Sequence, residues 1–480
     1  MISFIISIAV LIIGYFVLSK ISERIFGIDE NRKTPAITHA DGIDFVPMPL
    51  WKIFLIQFLN IAGLGPIFGA VAGAMWGPVA FLWIVLGSLF AGGVHDYFSG
   101  MLSVKHNGES ITEISGYYLG NKVKYFMRLF SVVLLIMVGT VFIMGPAKLL
   151  IGISDGFGGI NFWVILIFIY YILSTVLPID KIIGKIYPVF GVALLFMALG
   201  IFVMMFVNGI QVPEITFANL KNFHSKPNEF PIFPFVFVTI ACGAISGFHA
   251  TQSPLMARCM TNEKQGRPVF FGAMVTEGIV ALIWAAIGMS FYNGVGGLNE
   301  AMQSQGGNAA YVVNEISNSL LGKVGGILAL LGVVAAPITS GDTAFRSARL
   351  IIADVFKHNQ KPLLNRFLIS LPLFITAYFL TQLDFSIIWR YFAWTNQTLA
   401  TIVLWTITAY LIKSDKNYWI TLIPAVFMSA VVTSYLLIAP EGFNLPNYIS
   451  YFGGLFAAVA STLWFFMNKK IAKQAKTTAS

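Results

Sequence analysis

A chain of 480 residues that is 57% hydrophobic and only 11% charged cannot cover a soluble surface of its size with polar groups. Apolar runs of about 18 residues or more recur along its whole length, each long enough to cross a bilayer. No stretch is long and polar enough for a separate soluble domain, and the net charge of +9 is scattered over short loops, so it is no sign of nucleic acid.

The expected fold class is an all-α polytopic membrane protein of about 13 transmembrane helices, at roughly 2–19, 51–71, 78–100, 128–151, 161–178, 187–208, 231–252, 268–291, 324–342, 366–383, 388–411, 418–438 and 447–468. The first has no basic residue ahead of its apolar stretch and no small-residue cleavage site before Lys20. It is expected as an uncleaved helix rather than a signal peptide. With the N-terminus outside, twenty-five of the thirty basic residues fall in inner segments and the C-terminus is cytoplasmic. Only Lys148, Lys221, Lys226, Lys323 and Arg390 fall outside. A five-to-one bias is what the positive-inside rule predicts for a correct count.

The second span reads QFLNIAGLGPIFGAVAGAMWGP, from Gln57 to Pro78. A proline within a helix removes a backbone hydrogen bond and clashes with the preceding turn, at about 3 kcal/mol, and lipid offers no water in exchange. The seventh span, TIACGAISGFHATQSP from Thr239 to Pro254, carries a second interruption at Gly243, Ser246, Gly247 and His249. Both breaks fall near the bilayer midplane by helix rise. The second break lies five spans on from the first, an odd offset, so the two halves run in opposite directions. That is the pattern of an inverted five-plus-five repeat with binding at the midplane. The expected organisation is an N-terminal extra helix and loop (1–50), a first repeat (51–208), a second repeat (231–411), then two peripheral helices and a basic tail (412–480). Close helix packing at small residues is the other reading of either break, GAVAG being a small-xxx-small pattern.

Several polar residues stand at membrane depth. Glu277, in GAMVTEGIVALIWAAIG, lies about ten residues into the eighth span. Desolvation favours its neutral form, which makes it the first candidate for proton coupling, against a structural protonated Glu. His249 suits a carboxylate or a proton relay, or is a satisfied core histidine. Asp96, with His95, is read at the inner end of the third span, as a solvated helix end or a gate contact to Lys105. Asn396 and Gln397 face a cavity or a neighbouring helix. Asp342 is read as pairing with Arg346 four residues on, or as a second coupling carboxylate. Arg390 is read as an interfacial anchor or a lure for anions. Cys242 and Cys259 are not expected to form a disulfide, and no cluster has metal-ligand spacing. No nucleotide loop, H-E-x-x-H or nucleophile elbow occurs, so the chain is read as no enzyme and no ATP-driven pump.

NIAGLGPIFGAVAGAMWG, AGGVHDYFSG, KHNGES, PFVFVTIACGAISGFHA, APITSGDTAFRSARLIIAD and TNQTLA follow one another between about residues 50 and 410. In kind and order they resemble the carbon starvation protein A (CstA) family of peptide and pyruvate transporters. Longer members of that family carry additional C-terminal sequence. The resemblance implies the amino acid–polyamine–organocation superfamily and a LeuT-like fold. Under that fold the ninth span takes the place of the helix that supplies hydroxyls to a sodium site. Thr339, Ser340 and Thr343, with exposed carbonyls at Ala62 and Gly63, then form an oxygen site for a small cation, or the hydroxyls satisfy their own helix backbone. The substrate site is expected at Gly63, Gly65, Ser246, Gly247, His249, Asn396 and Gln397.

The function expected is secondary active import of a peptide or pyruvate by alternating access in a bacterial inner membrane, under nutrient limitation. No cofactor is expected beyond a coupling ion, H⁺ or, as the alternative, Na⁺. A nutrient sensor without transport is the other class left open, and so is a homo-oligomer.

Overall fold

A computed structural model describes residues 1–154, 156–176, 183–360 and 362–477. Lys181 and Lys361 of the loop count lie outside them, as do the side chains of Lys185, Lys323, Lys469, Lys470, Lys473 and Lys476. Among the described residues there is helix and no strand. Eight helices are each long and apolar enough to cross a membrane: Ile2–Phe26, Val79–Lys105, Asn121–Gly152, Tyr187–Val207, Glu263–Phe291, Leu363–Leu380, Trp419–Ile438 and Asn447–Met467. One bent pair, Leu50–Ala62 with Gly65–Trp76, meets the same test at an angle of 52°. Thirteen therefore remains the sequence's count. The ninth span is embedded in a longer structure, Ala309–Ala329 followed by Ala335–Phe356, and the eleventh in Phe385–Lys413. Short helices at Ile111–Leu119 and Val295–Ser304, absent from the span reading, connect spans.

Loop contacts sort the chain into two ends. At one end Arg32 pairs with Glu263, Lys264 with Glu30, and Arg346 with Asp44. Lys413 donates to the Tyr117 carbonyl there, and Arg258 to that of Gly108. At the other end the Met1 ammonium meets Glu214, Trp76 donates to the Phe230 carbonyl, and Arg390 pairs with Glu441. These are the two groups of loops that an alternating chain path requires.

Membrane embedding reverses the usual exposure pattern. Ile2–Phe26 and Asn447–Thr477 expose Ile13, Phe16, Phe452, Phe456 and Leu463 outward. The centre instead buries polar side chains, including Gln57, Asn60, Asp96, His249, Gln252, Glu277 and Asp342. Apolar outside and selectively polar inside is the distribution a bilayer imposes.

Candidate functional site

The site begins at the two breaks. Leu50–Ala62 stops at Gly63, whose φ of 41° and ψ of −134° no ordinary residue adopts without strain. The chain restarts at Gly65 with a π-helical turn, Gly65–Gly69. Pro66 thus stands in a first turn, where its missing N–H leaves no intrahelical bond unmade. The seventh span divides into Ile232–Thr239 and Gly247–Ala257, with 240–246 unwound. The two breaks touch. A Cβ on Gly65 would lie 2.0 Å from that of Cys242, and one on Gly243 (φ 92°) would come within 3.7 Å of the Pro66 Cα. Glycine at 65 is the condition for this approach.

Unwound carbonyls at this depth need donors, and other spans supply them. Gln397 donates to the Phe237 carbonyl at 2.9 Å, Trp83 to that of Ile240 at 2.9 Å, and Ser88 to that of Gly243 at 2.7 Å. At the start of Gly247–Ala257, Asn396 Oδ1 accepts from the Phe248 N–H at 2.6 Å and from the Ser246 hydroxyl at 3.0 Å. Asn396 therefore occupies the helix N-terminus, whose N–H groups would otherwise be open to an anion. In this conformer Asn396, Gln397, Ser246 and Gly247 hold the second break closed.

The ionisable residues gather behind it. His249 Nδ1 lies 2.8 Å from Asp96 Oδ2, and His95 Nδ1 lies 2.7 Å from Asp96 Oδ1. His249 Nε2 lies 3.4 Å from Glu277 Oε2. All four side chains are fully buried. The expected solvated helix end at Asp96 is thus corrected. The third span runs on to Lys105 through a π-helical turn at Gly87–Gly92, which places Asp96 inside the bundle. Lys105 reaches Tyr410 instead, at 3.4 Å. A second π-helical turn, Arg267–Gly272, precedes Glu277 on the eighth span. Such turns re-aim side chains and recur at functional sites.

An ionised Asp96 only accepts hydrogen bonds, so the geometry puts hydrogen on Nδ1 of both histidines. His249 Nε2 is then the atom that faces Glu277. One proton fits between them, on imidazole or on carboxyl. Cys242, His249 and Glu277 also bring three ligand atoms within 4.8 Å of one another. This mixed sulfur, nitrogen and oxygen set suits a transition ion. Sequence spacing could not reveal it, because Glu277 comes from a different span from Cys242 and His249.

In the oxygen cluster the hydroxyls follow the backbone-bonded reading, with Ser340 reaching further. Ser340 donates to the Leu59 carbonyl at 2.9 Å, one turn before Ala62 and Gly63, and also to the Ala336 carbonyl at 3.2 Å. Thr339 donates to the Ala336 carbonyl and Thr343 to that of Ser340, within their own helix. Of these three hydroxyls, only that of Ser340 bonds to the first broken helix among the described residues. Asp342 Oδ2 accepts from the Ser174 hydroxyl at 2.5 Å and from Tyr187 at 2.6 Å. Arg346, expected as its partner, pairs with Asp44 at 3.5 Å. Sequence reasoning also passed over Gln57 and Asn60. Both are fully buried, and their amide atoms have no protein partner among the described residues. Polar amides in an apolar span, one turn before a Gly-Pro break, were the available signal.

A cavity of about 250 Å³ opens toward the Met1 end between Phe68, Trp76, His224, Thr239, Trp389 and Arg390. It lies against the halves Gly65–Trp76 and Ile232–Thr239. Burial against Trp76 and Phe230 lowers the His224 pKa to about 4.

Two half-helices meeting inside an all-helical membrane bundle are the arrangement of the LeuT fold. Solved structures share it: MhsT in complex with L-phenylalanine, at a TM-score of 0.52 and 14% identity, covers 87% of this chain and 98% of its own. A manganese transporter of Eremococcus coleocola follows at 0.51 and 14%, covering 90% and 99%. The chain belongs to the carbon starvation protein CstA family, whose profile matches residues 1–161, 156–324 and 309–435. An uncharacterized membrane protein of Haemophilus influenzae is 45% identical over 352 residues, which is 63% of this chain and 95% of that one. Peptide transporter CstA of Campylobacter jejuni is 26% identical over 93% of this chain and 81% of its own length. Pyruvate/proton symporter BtsT of Escherichia coli is 26% identical over 58% and 47%. The last two of these relatives are named as transporters.

Proposed function

We propose that this protein is a secondary active symporter that imports pyruvate or short peptides across a bacterial inner membrane by alternating access, driven by protons. The observation that carries this reading is the buried sequence Asp96–His249–Glu277. It joins the third span, the second broken helix and the eighth span through side chains that hold and pass a proton. Asp96, steadied by His95, fixes the His249 ring. Glu277 takes or gives the proton at Nε2. The family's pyruvate/proton symporter supports the choice of ion. In this reading 51–208 and 231–411 are the two inverted repeats, 1–50 and 412–480 are accessory, the N-terminus is outside, and the loops around Asp44, Arg258 and Arg346 are cytoplasmic.

The energetics suffice. One charge moving down about 100 mV releases about 2.3 kcal/mol, enough for roughly fifty-fold accumulation of a neutral solute. A monocarboxylate entering with one proton is electroneutral and draws on the pH gradient. Ser340, which ties the ninth-span helix to the Leu59 carbonyl, is the one contact that favours sodium instead.

Uptake of labelled pyruvate and a labelled dipeptide into proteoliposomes tests the reading, with inward proton and sodium gradients imposed separately. Proton-driven accumulation is expected. Accumulation under sodium alone moves the coupling site to Ser340. No movement of either solute under either gradient overturns the cargo.

A further inference from the structure

Asp44 lies in the segment before the second span, with 7% of its side chain exposed. Its Oδ1 faces Arg346 at 3.5 Å and Arg349 at 3.9 Å. Burial pushes its pKa up, but Arg346, Arg349, Arg258 and Arg366 together hold it below the ordinary carboxylate value. Two guanidiniums, of Arg346 and Arg349, therefore converge on one carboxylate oxygen. Arg349 is fully buried, and its Nε, Nη1 and Nη2 make no hydrogen bond among the described residues. A separation of 3.9 Å is beyond hydrogen-bond length. A buried guanidinium without acceptors is costly, and its planar fork matches a bidentate carboxylate.

The segment bearing Asp44 is a compact turn. Asp41 accepts from the backbone N–H groups of Ile43, Asp44 and Phe45 at 2.8, 3.0 and 2.9 Å. The Phe45 ring lies 5.0 Å from the Arg258 guanidinium. On its other side the turn lines a cavity of about 540 Å³, whose wall includes Glu109, Arg258 and Asp354. Arg346 and Arg349 stand one and two turns beyond Asp342 on one helix. They therefore lie between the central residues and that cavity.

We propose that Arg349 and Arg346 form a carboxylate-binding subsite on the release side, that Asp44 fills it in this conformer, and that the cargo's carboxylate replaces Asp44 on its way out. The inference rests on the reading that the cargo is a carboxylate solute. Asp44 brings one oxygen to the arginines, whereas a free carboxylate offers the pair of oxygens that matches the Arg349 fork. The acidic cavity wall beyond then disfavours the return of an anion.

Thermal unfolding of the purified full chain tests this, comparing wild type with Asp44→Asn during titration with acetate, pyruvate, glycylglycine or chloride. Each carboxylate should stabilise Asp44→Asn at concentrations about tenfold below those needed for wild type, with no such gain from chloride. Adding Arg349→Lys, which keeps the charge and loses the fork, should remove the gain. Equal behaviour of Asp44→Asn and wild type, an equal gain from chloride, or a gain that survives Arg349→Lys overturns the subsite. A second measurement leaves Asp44 in place. Maleimide labelling of Ile43→Cys should quicken several-fold with saturating pyruvate, and an unchanged rate counts against displacement of the turn. Uptake is scored separately. Proton-driven accumulation without the carboxylate effect ends this proposal and keeps the transport reading; the converse does the reverse.

Discussion

Glu277 and Asp342 are both fully buried carboxylates on long helices that line the same core, and their neighbours differ in kind. Glu277 faces an imidazole whose far nitrogen is held by a second carboxylate. Asp342 receives two hydroxyls, from Ser174 and Tyr187. Imidazole changes protonation near neutral pH, and a serine or tyrosine hydroxyl does not. In the proposed reading the first cluster exchanges a proton, and the second keeps a fixed pattern of hydrogen bonds. Depth alone, which was all the sequence offered, ranked both as coupling candidates; the partners separate them.

His249→Ala attacks the first cluster hardest. It leaves Asp96 and Glu277 without their shared partner, and loss of one member of a buried charged set costs about 3–5 kcal/mol. Denaturant or thermal unfolding of the purified protein should show it. Glu277→Gln keeps the shape and should slow proton-driven accumulation by about a hundredfold, the scale of a positioned proton-transfer group, while equilibrium binding of cargo survives. Asp342→Asn should lose about 1.5–3 kcal/mol of stability, the worth of hydrogen bonds to a charged group, and keep its proton drive. Proton drive lost in Asp342→Asn and intact in Glu277→Gln would invert the comparison.

Two smaller effects sharpen it. Gly65→Ala drives a Cβ against Cys242, and overpacking of this kind costs about 1–3 kcal/mol. Cys242→Gly in the same chain should recover most of the loss, and failure to recover would mean that the breaks do not touch there. His224 supplies a pH effect unrelated to either carboxylate. Its pKa falls from 6.5 to about 4 on folding, chiefly through burial. The unfolded chain therefore binds more protons in that window, so stability rises with pH between about 4 and 6.5 and is lost on acidification. His224→Gln should flatten the melting temperature across that range. A slope that persists belongs to other groups.

Much of this was legible. Apolar run lengths gave the all-helical membrane fold, because a bilayer constrains them directly. Gly63 to Pro66 and Gly243 to Gly247 announced the breaks, because their backbone chemistry is local. Glu277 announced itself because a carboxylate at that depth is expensive. Its partners did not. Asp96 lies 153 residues from His249, and no local rule relates them. For Asp342 the local rule misled: an i,i+4 arginine was at hand, yet Arg346 turns to Asp44 and leaves the carboxylate to Ser174 and Tyr187. Asn396 and Gln397 were legible as polar and inward, but their first duty is to the backbone of the opposite break.

The carbonyls of the second break are pinned by Trp83 and Ser88 of the third span, which also grips His249 through Asp96. Span and half-helix are thereby mortised at three points along their length. A rocking motion that preserves those joints must carry the two as one block and slide elsewhere. The contact of Gly65 with Cys242 is smooth, small and free of hydrogen bonds between the two residues. It has the character of a bearing surface, and the bulk of one methyl group would be enough to jam it.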